Sequence, residues 1–248
     1  MCGRYALFLT LDELRHVFGI LGRLPETAPR WNIAPGQDVP IVRLVEGVRR
    51  LAMARWGFLP RWAKAGSPPA PMINARGETI DTKPSFRDAF RHRRCLVIAN
   101  GFHEWQARGK GPKRPFHARA KDGAPFAMAG IWERARGADG TEHDFVAIVT
   151  TQANALLAPI HERMPVLLPP DAWDDWLDTA RVGPEEAKTL IRPAPEDWLE
   201  VYPIATAVNR AASDGPALIV PVPGFAKDPE AVETAKKKPG VGGQAKLL

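Results

Sequence analysis

A chain of 248 residues with net charge +6 and 45% hydrophobic side chains is long enough to bury one large core, and nothing in its middle marks a linker. Its two cysteines, Cys2 and Cys95, exclude a disulfide framework and Cys-x-x-Cys metal sites, so neither metal nor cofactor is expected. No apolar run is long enough to span a bilayer and the first residues lack a signal-peptide pattern, which predicts a cytoplasmic protein without membrane contact.

The chain opens Met1-Cys2-Gly3-Arg4-Tyr5. A small side chain at position 2 favours removal of Met1, leaving a thiol and a free α-amine on adjacent carbons. An α-amine of pKa about 7.7–8.0 is partly neutral at cytoplasmic pH, whereas a lysine amine at about 10.4 is almost wholly charged. Such an amine forms a Schiff base with an aldehyde. The neighbouring thiol, ordinarily near 8.5, can then add to the imine carbon and close a thiazolidine ring. The structural alternative is that Cys2 is a small buried apolar residue.

A short N-terminal strand precedes Thr10 and Glu13, a capping box for a helix with Leu11, Leu14, Val17 and Phe18 on one face. Trp31 to Gly36 carries a loop signal in Pro35-Gly36. Residues 39–45 and 48–56, separated by Glu46-Gly47, predict a β-hairpin. Trp62 follows between arginine-bearing segments and a Gly, Ser, Pro and Ala-rich loop over 65–71. There it is either core or a platform for an exposed base.

Asn74-Ala75-Arg76 sets an amide suited to orienting an amine or carbonyl beside a guanidinium suited to a phosphate oxygen. It is equally a strand end bonded to its own backbone. A helix is predicted over 85–91, ending in Arg91-His92-Arg93-Arg94, then a buried strand over 95–99. In Gly101-Phe102-His103-Glu104-Trp105, the aromatics flanking Glu104 would desolvate its carboxyl and raise its pKa toward neutrality, unless it is one half of an ordinary ion pair.

Strands are expected at 115–118, 126–132 and 145–150, and a short helix over 153–159 delivers His161, a proton carrier or a structural histidine. A strand at 166–168, helices at 171–178 and 184–191, and a strand at 199–202 complete a domain ending at 223. Residues 224–248 have the composition of a mobile tail. Residues 76–121 hold 12 basic and 4 acidic side chains, while 122–200 hold 6 and 15. The basic stretch is either a solvated face or a footprint for a phosphate backbone.

Six motifs in order, Cys2-Gly3-Arg4-Tyr5, Asn32 to Gly36, Trp56-Gly57-Phe58, Ile73 to Arg76, Gly101 to Trp105 and His161 to Pro165, resemble the SOS-response-associated peptidase family of abasic-site processing proteins. The resemblance runs from Cys2 to about Tyr202. It implies a single α+β domain with an antiparallel, barrel-like sheet and peripheral helices. The implied partner is single-stranded DNA, or a single/double-strand junction, containing an abasic site.

By the resemblance, Cys2 traps the ring-opened sugar aldehyde as a thiazolidine crosslink after self-cleavage of Met1, and Glu104 shuttles protons. Asn74 positions the amine and the sugar, and His161 assists ring opening. Arg4 and Arg76 hold flanking phosphates, and Trp62 stacks where the duplex is interrupted. His103 stands where an aromatic is commoner in the family, and Gly77 where a side chain is usual. A monomer is expected. Three other readings are a cysteine peptidase pairing Cys2 with His161, a non-covalent single-strand binder, and an abasic-site lyase that stops at the imine.

Overall fold

The Thr10 hydroxyl accepts from the Glu13 amide while the Glu13 carboxylate accepts from the Thr10 amide. These bonds start α1 (Leu11–Phe18), which ends at Gly19 in the left-handed conformation. Helix α1 connects β1 (Arg4–Leu7) to β2 (Arg30–Ile33). The sequence had suggested a loop from Trp31, yet Arg30–Ile33 pairs with β1, and the turn begins only at Pro35-Gly36. The computed structural model describes residues 2–63, 72–109 and 111–223. The predicted loop over 65–71 and the tail over 224–248 lie outside the described residues.

Glu46 and Gly47 both take positive φ, 52° and 74°, in the two-residue turn whose twist suits a hairpin. They join β3 (Asp38–Val45) to β4 (Val48–Trp56) in the predicted register, Val45 opposite Val48. Then follow β5 (Asn74–Arg76), α2 (Arg87–His92), β6 (Arg94–Ala99), β7 (Gly101–Arg108), β8 (Gly111–Ala120), β9 (Phe126–Arg136) and β10 (Glu142–Gln152). The chain closes with β11 (Arg163–Pro165), β12 (Leu167–Leu168), α3 (Trp173–Leu177), α4 (Pro184–Thr189) and β13 (Leu199–Pro203).

Strand β3 pairs with β4 and β6, β6 with β9, and β9 with β10. Strand β10 then returns to β4 through Phe145–Arg55 and Val146–Trp56. The five strands form a closed barrel, antiparallel except at the β4–β10 seam. Beside it lies an antiparallel sheet in the order β13-β8-β7-β1-β2. The architecture is the expected α+β domain. Among the described residues no helix is long and apolar enough to cross a membrane.

Two predicted helices do not form as single α-helices. Residues 153–159 make only turns: the Asn154 side chain takes the Leu157 amide, and Pro159 has no N–H to extend a ladder. Residues 171–178 divide into a 3-10 turn, Pro170–Ala172, and the five-residue α3.

Trp56, Phe58, Phe90 and Trp176 are fully buried, each contributing about 1.5–3 kcal/mol through apolar surface removed from water. Trp56 also donates its indole N–H to the Ile73 carbonyl at 2.9 Å, holding the chain just before Asn74. Arg94, the last of the basic cluster, is buried rather than presented to a polyanion. Its guanidinium donates to the carbonyls of Trp176, Asp178 and Val182 at 2.5, 3.2 and 2.6 Å, neutralising the carbonyl end of α3. Gly77 has a packing reason: a Cβ there would lie 2.2 Å from Ile191 Cγ2, so only glycine lets the turn after β5 settle on that side chain.

Candidate functional site

Strand pairing assembles the site. Strand β1 runs against β7 with Arg4 opposite His103 and Tyr5 opposite Phe102, which brings the residues just before Arg4 alongside Glu104. Strand β5 runs parallel to β10, with Asn74 beside Ile148 and Arg76 beside Thr150, and β11 pairs with the end of β10. Asn74 and Cys2 meet directly: the Asn74 amide donates to the Cys2 carbonyl at 3.0 Å. The other end of that amide, Oδ1, is buried without a hydrogen-bond partner among the described residues.

Cys2 is fully buried, and its thiol points toward the Arg4 carbonyl at 3.9 Å. Burial first, then the Glu104 charge, raise the thiol far above its ordinary value. The structural alternative read from the sequence, a small buried residue, therefore describes Cys2 while Met1 is attached. In that form the Cys2 nitrogen is an amide, and no aminothiol exists.

Glu104 is only 3% exposed, on a strand whose alternate side chains Phe102 and Gln106 are also buried. Burial pushes its carboxyl up to about 7, against the lowering pull of the amino-terminal charge and of Lys113. The sequence predicted this direction, but the flanking aromatics are not its sole cause: Phe102 faces the core, while Trp105 turns outward to bond Asn209 at 2.7 Å.

His161 is half-buried. Its Nδ1 accepts the Arg163 amide at 3.0 Å, which leaves Nε2 as the nitrogen that carries the proton in the neutral ring. Burial, the amino-terminal charge and Lys113 hold its pKa below the ordinary histidine value. The same amino terminus and the same lysine thus act on both Glu104 and His161, so the two side chains share one electrostatic neighbourhood.

Three supporting residues escaped the sequence reading. Asn32 donates to the Val208, Arg210 and Ser213 carbonyls at 3.2, 2.9 and 2.8 Å, and its Oδ1 accepts from Arg4 at 2.8 Å. Arg4 in turn reaches the Val208 carbonyl at 2.8 Å and lies over the Trp105 ring. Arg163, buried behind His161, forks onto Glu78 at 2.5 and 2.9 Å and onto the Thr150 carbonyl at 2.7 Å, fixing the His161 loop to the turn that follows Arg76. Lys113 is the third. Motif position hinted at Asn32 and Arg163, but nothing local distinguishes Lys113 from its basic neighbours.

The residues predicted to meet phosphates and bases are placed differently from one another. Arg76 is exposed at the end of β5 and makes no salt bridge among the described residues. Trp62 is 64% exposed. Arg4 is half-buried and held as described above. His103 is fully buried, with Nε2 on the Trp31 carbonyl at 3.0 Å and Nδ1 on His117 Nδ1 at 3.1 Å, so it supports the sheet. Among the described residues no group of three His, Cys, Asp or Glu side chains could hold a metal.

The chain has relatives that match it over most of its length. The chain is 35% identical over 221 residues to the abasic site processing protein YoqW of Bacillus subtilis, covering 88% of this chain and 99% of that one. It is 31% identical to YedK of Escherichia coli, an abasic site processing protein, over 90% of this chain and all of its relative. The chicken abasic site processing protein HMCES is 31% identical, with 95% of this chain and 82% of that protein covered. A crystal structure of a Bacteroides thetaiotaomicron protein superposes with a TM-score of 0.78 over 89% of this chain and 100% of that one, at 23% identity, and shows the shared fold. The model of the SOS response associated peptidase (SRAP) family matches residues 1–211, all the strands and helices of the site included, and the chain belongs to that family.

Proposed function

We propose that this protein processes abasic sites in DNA by covalent capture: once Met1 is removed, Cys2 traps the aldehyde of the ring-opened sugar. The observation that carries the reading is the convergence of the Cys2 backbone, the Asn74 amide and the near-neutral Glu104 carboxyl. Each supplies something the chemistry needs.

Hydrolysis of the Met1–Cys2 peptide comes first. The ionised form of Glu104 takes a proton from the attacking water and passes it to the departing Cys2 nitrogen, which makes the protein an autopeptidase toward itself. The new ammonium lies on the carbon next to the thiol-bearing one, and its positive charge opposes the burial that held the thiol protonated.

Capture then proceeds in two bond-forming steps. The neutral amine, positioned by Asn74 Oδ1, adds to the aldehyde carbon, and the resulting hydroxyl leaves as water with a proton from Glu104. A carboxyl near 7 is half protonated at neutral pH and suits both directions of this transfer. The Cys2 sulfur adds to the imine carbon and its proton moves to the ring nitrogen. Aldehyde and aminothiol thus combine with loss of one water. His161 Nε2 faces the sugar in this scheme and aids ring opening, while Arg4 and Arg76 take flanking phosphates and Trp62 a neighbouring base.

The protein acts in the cytoplasm as a monomer on single-stranded DNA or at a strand junction. Without the sulfur, the imine stands open to β-elimination and strand incision. Intact-mass measurement of Met1-free protein mixed with an abasic oligonucleotide tests the proposal. After heating, one oligonucleotide minus one water should remain on the protein, and a Cys2→Ala protein, whose open imine hydrolyses, should retain nothing. A Cys2→Ala protein that forms the same adduct refutes it.

A further inference from the structure

Strand β9 carries Trp132, Arg134 and Arg136 at alternate positions, so all three point away from the barrel interior. They form one wall of a groove of about 560 Å³ that is completed by Arg61, Ala63, Arg93, Glu133 and Glu142. Four guanidinium groups face two carboxylates.

The pairings decide what remains available. Glu133 is taken by Arg93 at 2.8 Å, and Arg93 also reaches Asp88. Arg134 is held by Asp144 at 2.8 Å, the carboxylate that it shares with Arg43. Arg43 lies 4.2 Å over the Trp132 ring. Arg61 and Arg136, both exposed and at different places on the rim, make no salt bridge among the described residues. Between the lining residues Arg61 and Ala63 stands Trp62, 64% exposed.

Trp62 does not line the groove but follows Arg61 in the chain with its ring exposed, and Arg136, opposite Glu142 across the β9–β10 pair, makes no salt bridge with it. Guanidinium groups without a salt bridge suit an anionic backbone, and an exposed ring next to them in the chain suits an unstacked base. The groove also lies on a path from the site. Asn74 sits beside Ile148 on β10 and Arg136 beside Glu142, six residues further along the same strand, a separation of roughly 20 Å at about 3.3 Å per residue.

We infer that this arginine groove is a second contact for single-stranded nucleic acid, holding the phosphodiester backbone of the strand as it runs on from the Cys2 site, with Trp62 stacking between the two. The inference deepens the proposed function and rests on it for the direction of the strand, but the contact itself requires no Cys2 chemistry.

The test is therefore non-covalent. Binding of an undamaged single-stranded oligonucleotide of about ten nucleotides, within the span of known single-strand grooves, is measured across a salt series for wild type, Arg61→Gln, Arg136→Gln and the double variant. Each substitution should lower the slope of log affinity against log salt by about 0.7, and the double variant by about twice that. Arg181→Gln, which removes an exposed arginine already paired with Asp175, controls for net charge and should change the slope little. Thermal melting confirms that these surface variants are folded. Slopes unchanged in the double variant, or lowered equally by Arg181→Gln, overturn the inference. So does equal displacement of the oligonucleotide by polyglutamate of the same charge. Crosslinking by the wild-type protein, measured separately, reports on the aldehyde-capture reading alone.

Discussion

The carboxyl of Glu104 provides a sharp thermodynamic test of the site. Burial moves it from 4.5 to about 7 in the folded protein. At 1.36 kcal/mol per pH unit, the charged form is disfavoured by about 3 kcal/mol relative to an exposed carboxylate. The sign follows from proton counts: between pH 4.5 and 7 the folded protein holds a proton that the unfolded chain has released. Stability is therefore greatest below the unfolded value and is lost as pH rises through the folded one. Glu104→Gln keeps the shape but cannot ionise, so its stability should match wild type near pH 4 and exceed it by up to about 3 kcal/mol above pH 8. For a chain of this length that is a melting difference of roughly 6–12 °C. Urea or thermal unfolding of both proteins over pH 4–9, with the amino terminus of each checked by mass, measures the gap. A gap that does not grow with pH would refute the claim that burial sets this carboxyl, and with it the role given to Glu104 as a proton carrier at neutrality.

Three further outcomes follow from the packing. Arg94→Leu strands the carbonyls of Trp176, Asp178 and Val182, at the end of α3 and in the segment after it, at about 1–3 kcal/mol for each lost partner, partly offset by removing a buried charge; denaturant titration should find a net loss of about 2–4 kcal/mol. The Tyr5 hydroxyl is buried with no hydrogen-bond partner among the described residues, so Tyr5→Phe should be neutral or stabilise by about 1 kcal/mol, an unusual result for a fully buried motif residue and one that thermal melting can check. Trp62→Ala should leave the melting temperature within experimental scatter while weakening single-strand affinity by about 1–3 kcal/mol in a fluorescence titration.

Local chemistry was legible in the sequence wherever the physics is local. The Thr10/Glu13 box, the Glu46-Gly47 turn and the apolar run 95–99 each produced the predicted element, because capping, turn conformation and burial pattern act within a few residues. The short parallel seam that closes the barrel was not visible, since Phe145 and Arg55 belong to distant parts of the chain and a two-residue pairing leaves no periodic trace. The same limit hid β2, whose pairing with β1 overrode the loop signal around it. At the site, the motifs named Cys2, Asn74, Glu104 and His161, and the structure brings the Cys2 carbonyl to Asn74 and groups Glu104 with His161 around one charge environment. The sequence offered burial as one of two readings for Cys2 but could not choose between them, and gave no hint that Arg94 belongs to the interior, because burial is a property of the assembled whole.

The stitch between Arg4, Asn32 and the Val208 carbonyl joins groups 204 residues apart in the chain. Synthesis proceeds from the amino end, so the nascent protein exposes its second residue long before the segment that orients its neighbour has left the ribosome. A truncated product ending before Val208 would carry Arg4 without the carbonyl that holds it. The setting of Arg4 therefore waits on one of the last stretches of the domain to be made, through a pair of hydrogen bonds.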